Sequence, residues 1–332
     1  MIHIMYKSIF AGICLFALAA CGSGVDDGTG GGGTPTGVQS TTEDIGTGTA
    51  AQRIARYEAR TDDGNGYAES ISYNATDDTF TVDNLPFDGD NTYARDDVVT
   101  SLGPFSVYEN DSTYADDVTG VLINQFEHKA IRGVSTTGNT EFSIVRTGAY
   151  VPYGFGGFLY QRNTGVVLPT TGEAAYNGDY AGLRDFQGRG GLEYVTGQMN
   201  VNIDFEDFNA GDAVDGHITN RRVFDINGND ITAGILAALT TEQGVAITAL
   251  PSVNFVIQPG VLSTNGEITG SLSSFIPNDE GSFDGLETGT YYAVISGTGA
   301  GQEIVGVVVM ESPDHRADGV TVRETGGFIL YR

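Results

Sequence analysis

Residues 192–205 alternate. Met199, Val201, Ile203 and Phe205 fall on one side, and Gln198, Asn200, Asn202 and Asp204 on the other. Successive side chains of a strand point to opposite faces. A period of two therefore means a strand with one dry face and one wet face, the pattern of an antiparallel sheet laid on a core. Shorter runs of the same kind recur. Residues 67–73 and 79–85 flank the turn 74–78, and 125–134 and 140–147 flank the turn 135–139; residues 104–109 make a further run. Strands are also expected over 176–184, 213–225, 253–261, 267–275, 290–297, 303–311 and 320–331, between short Gly/Asn/Asp turns. One segment departs from this. Ile231, Ile235, Leu236 and Leu239 recur at helical spacing, with Asn229 or Asp230 as a cap and Gly244 as a stop. The 48 glycines and the many Tyr and Phe suit an all-β chain. From residue 166 onward the run counts eight strands, the number at which a closed barrel is just filled by side chains or holds one small ligand. The fold class expected is all-β: an eight-stranded antiparallel β-barrel over 166–332, preceded by a smaller β-rich domain over 49–165.

The N-terminus carries an address. Lys7 precedes an apolar run over 9–20, shorter than the ~20 residues that cross a bilayer as a helix. Leu18-Ala19-Ala20-Cys21 follows. This resembles the lipobox of bacterial lipoprotein signals. The resemblance implies a signal peptide over 1–20, cleavage before Cys21, acylation of the Cys21 thiol, and membrane attachment through that lipid. Gly22, rather than aspartate, follows the cysteine, so the outer membrane is the expected destination. Cys14 lies in the signal, which leaves the mature chain without a free thiol or a disulfide. Residues 21–48 read as the acylated cysteine and a flexible Gly/Thr tether.

The net charge of −27 sets the partners. Such a field repels nucleic acid and anionic lipid heads, so no nucleic-acid partner is expected. It suits a basic partner or a saline habitat.

Residues for chemistry do not converge. His128, His217 and His315 are far apart, and no nucleophile elbow, zincin or P-loop motif occurs. No catalytic residue, metal site or cofactor is expected, and the chain reads as a non-enzyme. Asp77-Asp78, Asp96-Asp97 and Asp116-Asp117 read as solvated turn or edge residues, because neighbours on a strand point apart. Asp225-Ile226-Asn227-Gly228-Asn229-Asp230 starts like a calcium loop, but Asp230 and Leu236 stand where such a loop needs glycine and glutamate. A turn plus a helix cap explains it. The aromatic group Tyr150, Tyr153, Phe155, Phe158 and Tyr160 has two readings: a binding platform, or the lining of a seam between domains. Arg221-Arg222 also has two: partners for nearby carboxylates, or a catch-point for an anionic ligand. In 176–197, Tyr176, Gly178, Tyr180, Gly182 and Arg184 share one strand face. Large and small residues alternate there, as a tapering barrel interior requires. The GRGG that follows is a turn, since Leu192–Thr196 is strand-forming and no helix N-terminus faces it.

Several of these segments are similar to a known family. They are Gly172-Glu173-Ala174-Ala175-Tyr176-Asn177-Gly178-Asp179-Tyr180, Asp204-Phe205, Gly266-Glu267-Ile268-Thr269-Gly270, Gly285, and Gly289-Thr290-Tyr291-Tyr292-Ala293. Glu303-Ile304-Val305-Gly306-Val307 and Glu324-Thr325-Gly326-Gly327-Phe328 complete the set. Together they resemble the C-terminal β-barrel domain of transferrin-binding-protein-B-like surface lipoproteins. The resemblance covers 166–332, and by layout alone the handle-like half before it. It implies a monomeric lipoprotein of the outer membrane, displayed at the cell surface, that captures a protein or a small solute of the iron, haem or nutrient kind. The alternative is a structural or adhesive surface protein with no small-solute ligand. The larger family members have two handle–barrel lobes and this chain has room for one. No ligand-contacting residue of the family carries over.

Overall fold

The structure, a computed structural model, describes residues 38–40, 51–59, 68, 70–83, 85, 89–110, 112–115, 117–123, 127–148, 153–207, 211 and 213–332. Residues 37–332 make one compact unit. Its first sheet runs through β1 (Val38–Ser40), β2 (Ile54–Glu58), β3 (Ile71–Asn74), β4 (Thr79–Val82), β5 (Thr92–Arg95), β6 (Ser101–Leu102) and β7 (Phe105–Asn110). A small separate hairpin, β8 (Tyr114–Ala115) and β9 (Leu122–Ile123), comes next. The first sheet resumes with β10 (His128–Val134), β11 (Thr140–Thr147) and β12 (Gly156–Arg162). Its order is β1-β2-β12-β11-β10-β7-β5-β4-β3, with β6 alongside β7. Val38–Ser40, inside the segment read as a tether, pairs with Arg56–Glu58.

The second sheet is the expected barrel. After β13 (Val166–Val167) come β14 (Glu173–Gln187), β15 (Glu193–Asp204), β16 (Val214–Asp225), helix α1 (Thr232–Gln243) and β17 (Val253–Phe255). They are followed by β18 (Glu267–Pro277), β19 (Phe283–Thr298), β20 (Glu303–Pro313) and β21 (Thr321–Tyr331). From β14 to β21 every strand pairs antiparallel with the next, and β21 pairs back onto β14. Eight strands thus close with no free edge. Two lengths differ from the sequence pattern. The ladder expected over 253–261 stops at Phe255, and the stretch after it holds Pro259, which has no N–H to donate, and Gly260, which turns at φ 79°. The ladder of β19 starts earlier, at Phe283, where Gly285 and Gly289 had hidden the alternation. Helix α1 ends as expected on Gly244, left-handed at φ 68°. Its first residue is preceded by Ile231 with no side-chain cap, and the Asp230 carboxylate instead accepts from the Thr232 N–H at 2.9 Å.

Strand parity sorts the wall residues. Tyr176 and Tyr180 on β14, Ile304, Val308 and Met310 on β20, and Phe328 and Leu330 on β21 pack into the barrel interior. Their neighbours Ala181, Leu183, Val305, Val307 and Ile329 face out and pack against Phe105, Ile131, Phe142, Ile144, Phe158 and Tyr160 of the first sheet. That seam is a second hydrophobic core with the barrel wall as its floor. Polar pins cross it. The Glu303 carboxylate accepts from the hydroxyls of Ser135, Thr137 and Thr140 at 2.9–3.1 Å. Arg146 donates to Thr325 Oγ1 at 2.8 and 3.1 Å, and Arg162 to the backbone carbonyls of Asn265 and Ile295 at 2.6 and 2.7 Å. Burial draws the Arg162 guanidinium down to about 10.

At Gly326-Gly327 rings press on the wall from both faces. A Cβ on Gly326 would lie 2.1 Å from the Tyr180 hydroxyl inside, and one on Gly327 2.2 Å from the Phe142 ring outside. Both glycines are therefore required by close approach. Gly327→Ala is expected to destabilise the protein by about 1–3 kcal/mol through overpacking. Gly285→Ala, where nothing lies within 4 Å of the added carbon, should stay within about 0.5 kcal/mol. Urea denaturation followed by circular dichroism reads both. Adding Phe142→Leu to Gly327→Ala should recover part of the loss, and strict additivity would refute the clash.

Candidate functional site

The aromatic group does not form one exposed platform. Phe158 and Tyr160 are buried in the seam, with Phe158 stacked on Tyr292 at 6.1 Å between ring centroids. Phe155 packs against the opposite face of the first sheet, beside Ala55 and Leu159. The Tyr153 ring lies under the Arg323 guanidinium at 4.6 Å, and burial raises its hydroxyl well above the usual tyrosine range. Tyr150 lies outside the described residues, as does Cys21.

Arg221 and Arg222 part company at a β-bulge. Opposite β15, the register of β16 shifts: Thr196 faces Arg222 while Gln198 faces Thr219, so β16 carries one extra residue. Asn220 occupies that place in the left-handed region at φ 52°. An uninterrupted strand would send Ile218, Asn220 and Arg222 inward. The inserted residue reverses the parity, so Arg221 and Val223 point in and Arg222 points out. Arg222 is exposed and pairs with Asp230.

Arg221 enters a buried ionic network near the α1 end of the barrel. Its guanidinium donates two bonds of 2.6 Å to the Glu287 carboxylate, a bidentate pair. Glu324 stands 3.6 Å from Arg221 and accepts from the Tyr180 hydroxyl at 2.8 Å. Arg184 reaches Glu193 at 2.8 Å, and Arg316 and Arg189 tie Glu193 to Asp314. Burial raises the Glu324 carboxyl above the usual glutamate value despite Arg221 and Arg184. For Glu287, burial pushes the same way but is outweighed by Arg221, and its carboxyl is lowered. The space beside this network measures about 30 Å³. The interior around it is filled by Tyr176, Tyr180, Met199, Phe255, Tyr291 and Phe328, with Ile235 and Leu239 of α1 packed into the same cluster. Phe255 stacks on Tyr291 at 3.6 Å. Among the described residues, these side chains fill the barrel interior.

Ligand-sized space lies outside the wall. One cleft of about 560 Å³ is walled by Val99, Ser101 and Leu102 of the first sheet and by Asp179, Gln198, Asn220 and Phe224 on the barrel exterior. The loop forming its first wall is tied down by Asp96. That carboxylate accepts from the N–H groups of Val98 and Val99 at 2.7 and 2.8 Å, from Lys129 Nζ at 2.6 Å, and from the Tyr194 hydroxyl at 3.2 Å. Asp96 is thus fully buried rather than solvated, which corrects the sequence reading. Adjacency in sequence was no guide, because this residue turns into the seam to hold a loop. A second groove, of about 460 Å³, runs along Leu250 and Pro251 to Phe275, Pro277 and Phe283. Phe275 and Phe283 are 55% and 69% exposed, on the hairpin that joins β18 to β19. The acidic residues Asp279, Glu280 and Asp284 share its tip and are exposed. Among the described residues, no three His, Cys, Asp or Glu gather as a metal site.

No family profile matches the sequence, and no curated protein matches it. Among solved structures the chain is similar to transferrin binding protein B (TbpB) of Haemophilus parasuis Hp5. A double mutant of that vaccine antigen aligns at 13% identity with a TM-score of 0.35, and a single mutant at 12% with 0.34. Intact Ap-TbpB, with N and C lobes, aligns at 13% with 0.34. Each comparison covers 85% of this chain and 52% of the other, so the chain spans about half the length of these structures.

Sequence reasoning missed Asp179, Gln198, Asn220, Phe275 and Phe283. One signal was present: Ile218 and Val223 are both apolar but an odd number of residues apart, which betrays a bulge in a strand. Asp96 gives a titratable test of the cleft wall. Burial raises its carboxyl, but the Lys129 bond and the Val99 and Val98 N–H groups outweigh this and hold it below the usual aspartate value. Its contribution is therefore present above the unfolded value and is lost as pH falls through the folded one, below about pH 4. Asp96→Asn should cost about 1.5–3 kcal/mol at pH 7, and the gap to the parent should shrink below that range. Urea denaturation at pH 7 and at a pH below about 4 measures it.

Proposed function

We propose that this chain is a non-catalytic lipoprotein, anchored to the outer membrane through acylated Cys21, displayed at the cell surface, where it captures a basic protein partner in nutrient acquisition. The observation that carries the reading is the β18–β19 hairpin. Phe275 and Phe283 stand in solvent there beside an apolar groove, and Asp279, Glu280 and Asp284 are exposed near the tip of the same hairpin. Exposed apolar side chains clustered beside a groove are a usual mark of a protein-binding surface. The charge of −27 adds long-range attraction for a cationic surface. The filled interior supports a protein over a small solute, since lumen-binding barrels need an open cavity and this one is packed with aromatic rings and an ionic network. The lipobox and the Gly-rich segment after it support display at the end of a tether.

The full chain immobilised and exposed to fluid from its natural medium should retain one stoichiometric protein of basic charge. The double variant Phe275→Ser/Phe283→Ser should lose at least ten-fold in affinity with its thermal midpoint unchanged. Equal retention by both chains, or recovery of envelope fragments alone, would overturn the proposal. Protease added to intact cells should remove the protein, and full protection until the outer membrane is broken would place it in the periplasm.

A further inference from the structure

Asp179, Gln198 and Asn220 form one row across three strands of the barrel exterior. Asp179 pairs in register with Gln198, and Gln198 lies opposite the bulge that inserts Asn220. All three are exposed and line the 560 Å³ cleft. That volume falls in the roughly 300–1,000 Å³ range of small-ligand sites. The cleft also lies where the first sheet meets the barrel, a preferred place for such sites.

The chemistry of the lining is selective. Asn220 Nδ2 donates to Gln198 Oε1 at 2.7 Å. By valence this leaves the Gln198 amide as a donor and Asn220 Oδ1 as an acceptor, next to the acceptor-only Asp179 carboxylate. Thr196 and Ser101 add hydroxyls, which both donate and accept. Val99, Leu102 and Phe224 supply an apolar side. Among the described residues, no Lys, Arg or His lines the cleft. Arg222, near Phe224 at 5.9 Å, is engaged by Asp230. An anion would meet the Asp179 carboxylate, with no cation among the described lining residues to offset it. A metal ion would find a single carboxylate where hard cations take six to eight oxygens. A purely apolar ligand would strand the polar row without partners.

We infer that this cleft binds a neutral saccharide. A sugar hydroxyl donates and accepts at once, which matches paired amides and hydroxyls beside one carboxylate. The C–H face of a pyranose ring is apolar, which matches Leu102 and the Phe224 ring. The backbone adds an independent sign. The left-handed, non-glycine residue of the bulge is the one whose amide joins the row, and bulges that re-aim side chains are frequent beside binding sites. This site is separate from the β18–β19 hairpin and does not depend on the function proposed for it.

The competing account is that the bulge serves only to turn Arg221 inward. Asn220→Gly separates the two. Glycine keeps the left-handed backbone, and so the bulge and the Arg221–Glu287 pair, but removes the amide. The probes are neutral trisaccharides of glucose, galactose, mannose and N-acetylglucosamine, with sialyllactose as an anionic control, titrated into the full chain by NMR. At least one neutral sugar should bind, and more tightly than sialyllactose. Asn220→Gly and Asp179→Ala should each weaken it at least ten-fold without lowering the thermal midpoint. Ser101→Trp, at an exposed position that lines the cleft, should abolish it. The Phe275→Ser/Phe283→Ser variant should bind as the parent does. No binding by any neutral sugar, a preference for the anionic one, or binding that survives both Asn220→Gly and Asp179→Ala would overturn the inference.

Discussion

Two adjacent glycines stand between Tyr180 inside the barrel and Phe142 outside it. Gly326 receives one ring and Gly327 the other, and the rest of the molecule depends on that double approach. A strand shows its side chains alternately to its two faces. Where both faces are dry, each residue must fit a different core. The wall formed by β14, β20 and β21 meets this demand along its length: Tyr176, Ile304 and Leu330 look inward, and Leu183, Val305 and Ile329 look toward the first sheet. The first sheet is therefore fixed to the barrel by a hydrophobic core of its own, pinned at Glu303, Arg146 and Arg162.

Filling the interior has a consequence for function. Tyrosines, a stacked Phe255–Tyr291 pair, α1 and the Arg221–Glu287–Glu324 network occupy the volume that a solute-carrying barrel leaves open. Buried ion pairs of this kind stabilise poorly on balance, since desolvation offsets most of the attraction. Their better-attested role is to fix register. Here one bulge at Asn220 does so, turning Arg221 in and Arg222 out. Recognition is left to the outer surface. Two unlike surfaces are available there, an exposed pair of phenylalanines on one hairpin and a polar cleft beside the first sheet.

Much of the architecture was legible in the sequence. Period-two alternation over 192–205 located β15, glycine punctuation located the barrel turns, and the spacing of Ile235 and Leu239 located α1. The alternation of tyrosine and glycine in β14 foretold a tapered interior. Legibility failed where parity or length was set from a distance. The glycines of β19 concealed its first residues, and β17 stopped short of Pro259. The aromatic run over 153–160 was divided between a seam, a second face and a cation–π contact, according to what each strand position met. Asp96 looked like half of a solvated acidic pair and is an anchor, because Lys129 and Tyr194 reach it from elements far along the chain.

The sequence alone determined what is local and periodic: strands, turns, one helix and a strongly acidic composition. Those properties follow from neighbouring residues and need no partner. Only the tertiary structure decided which face of each strand met which core, that side chains fill the lumen, and that Asp179, Gln198 and Asn220 stand in one row. Strand pairing sets these, and it joins residues tens of positions apart whose register a single inserted residue can reverse.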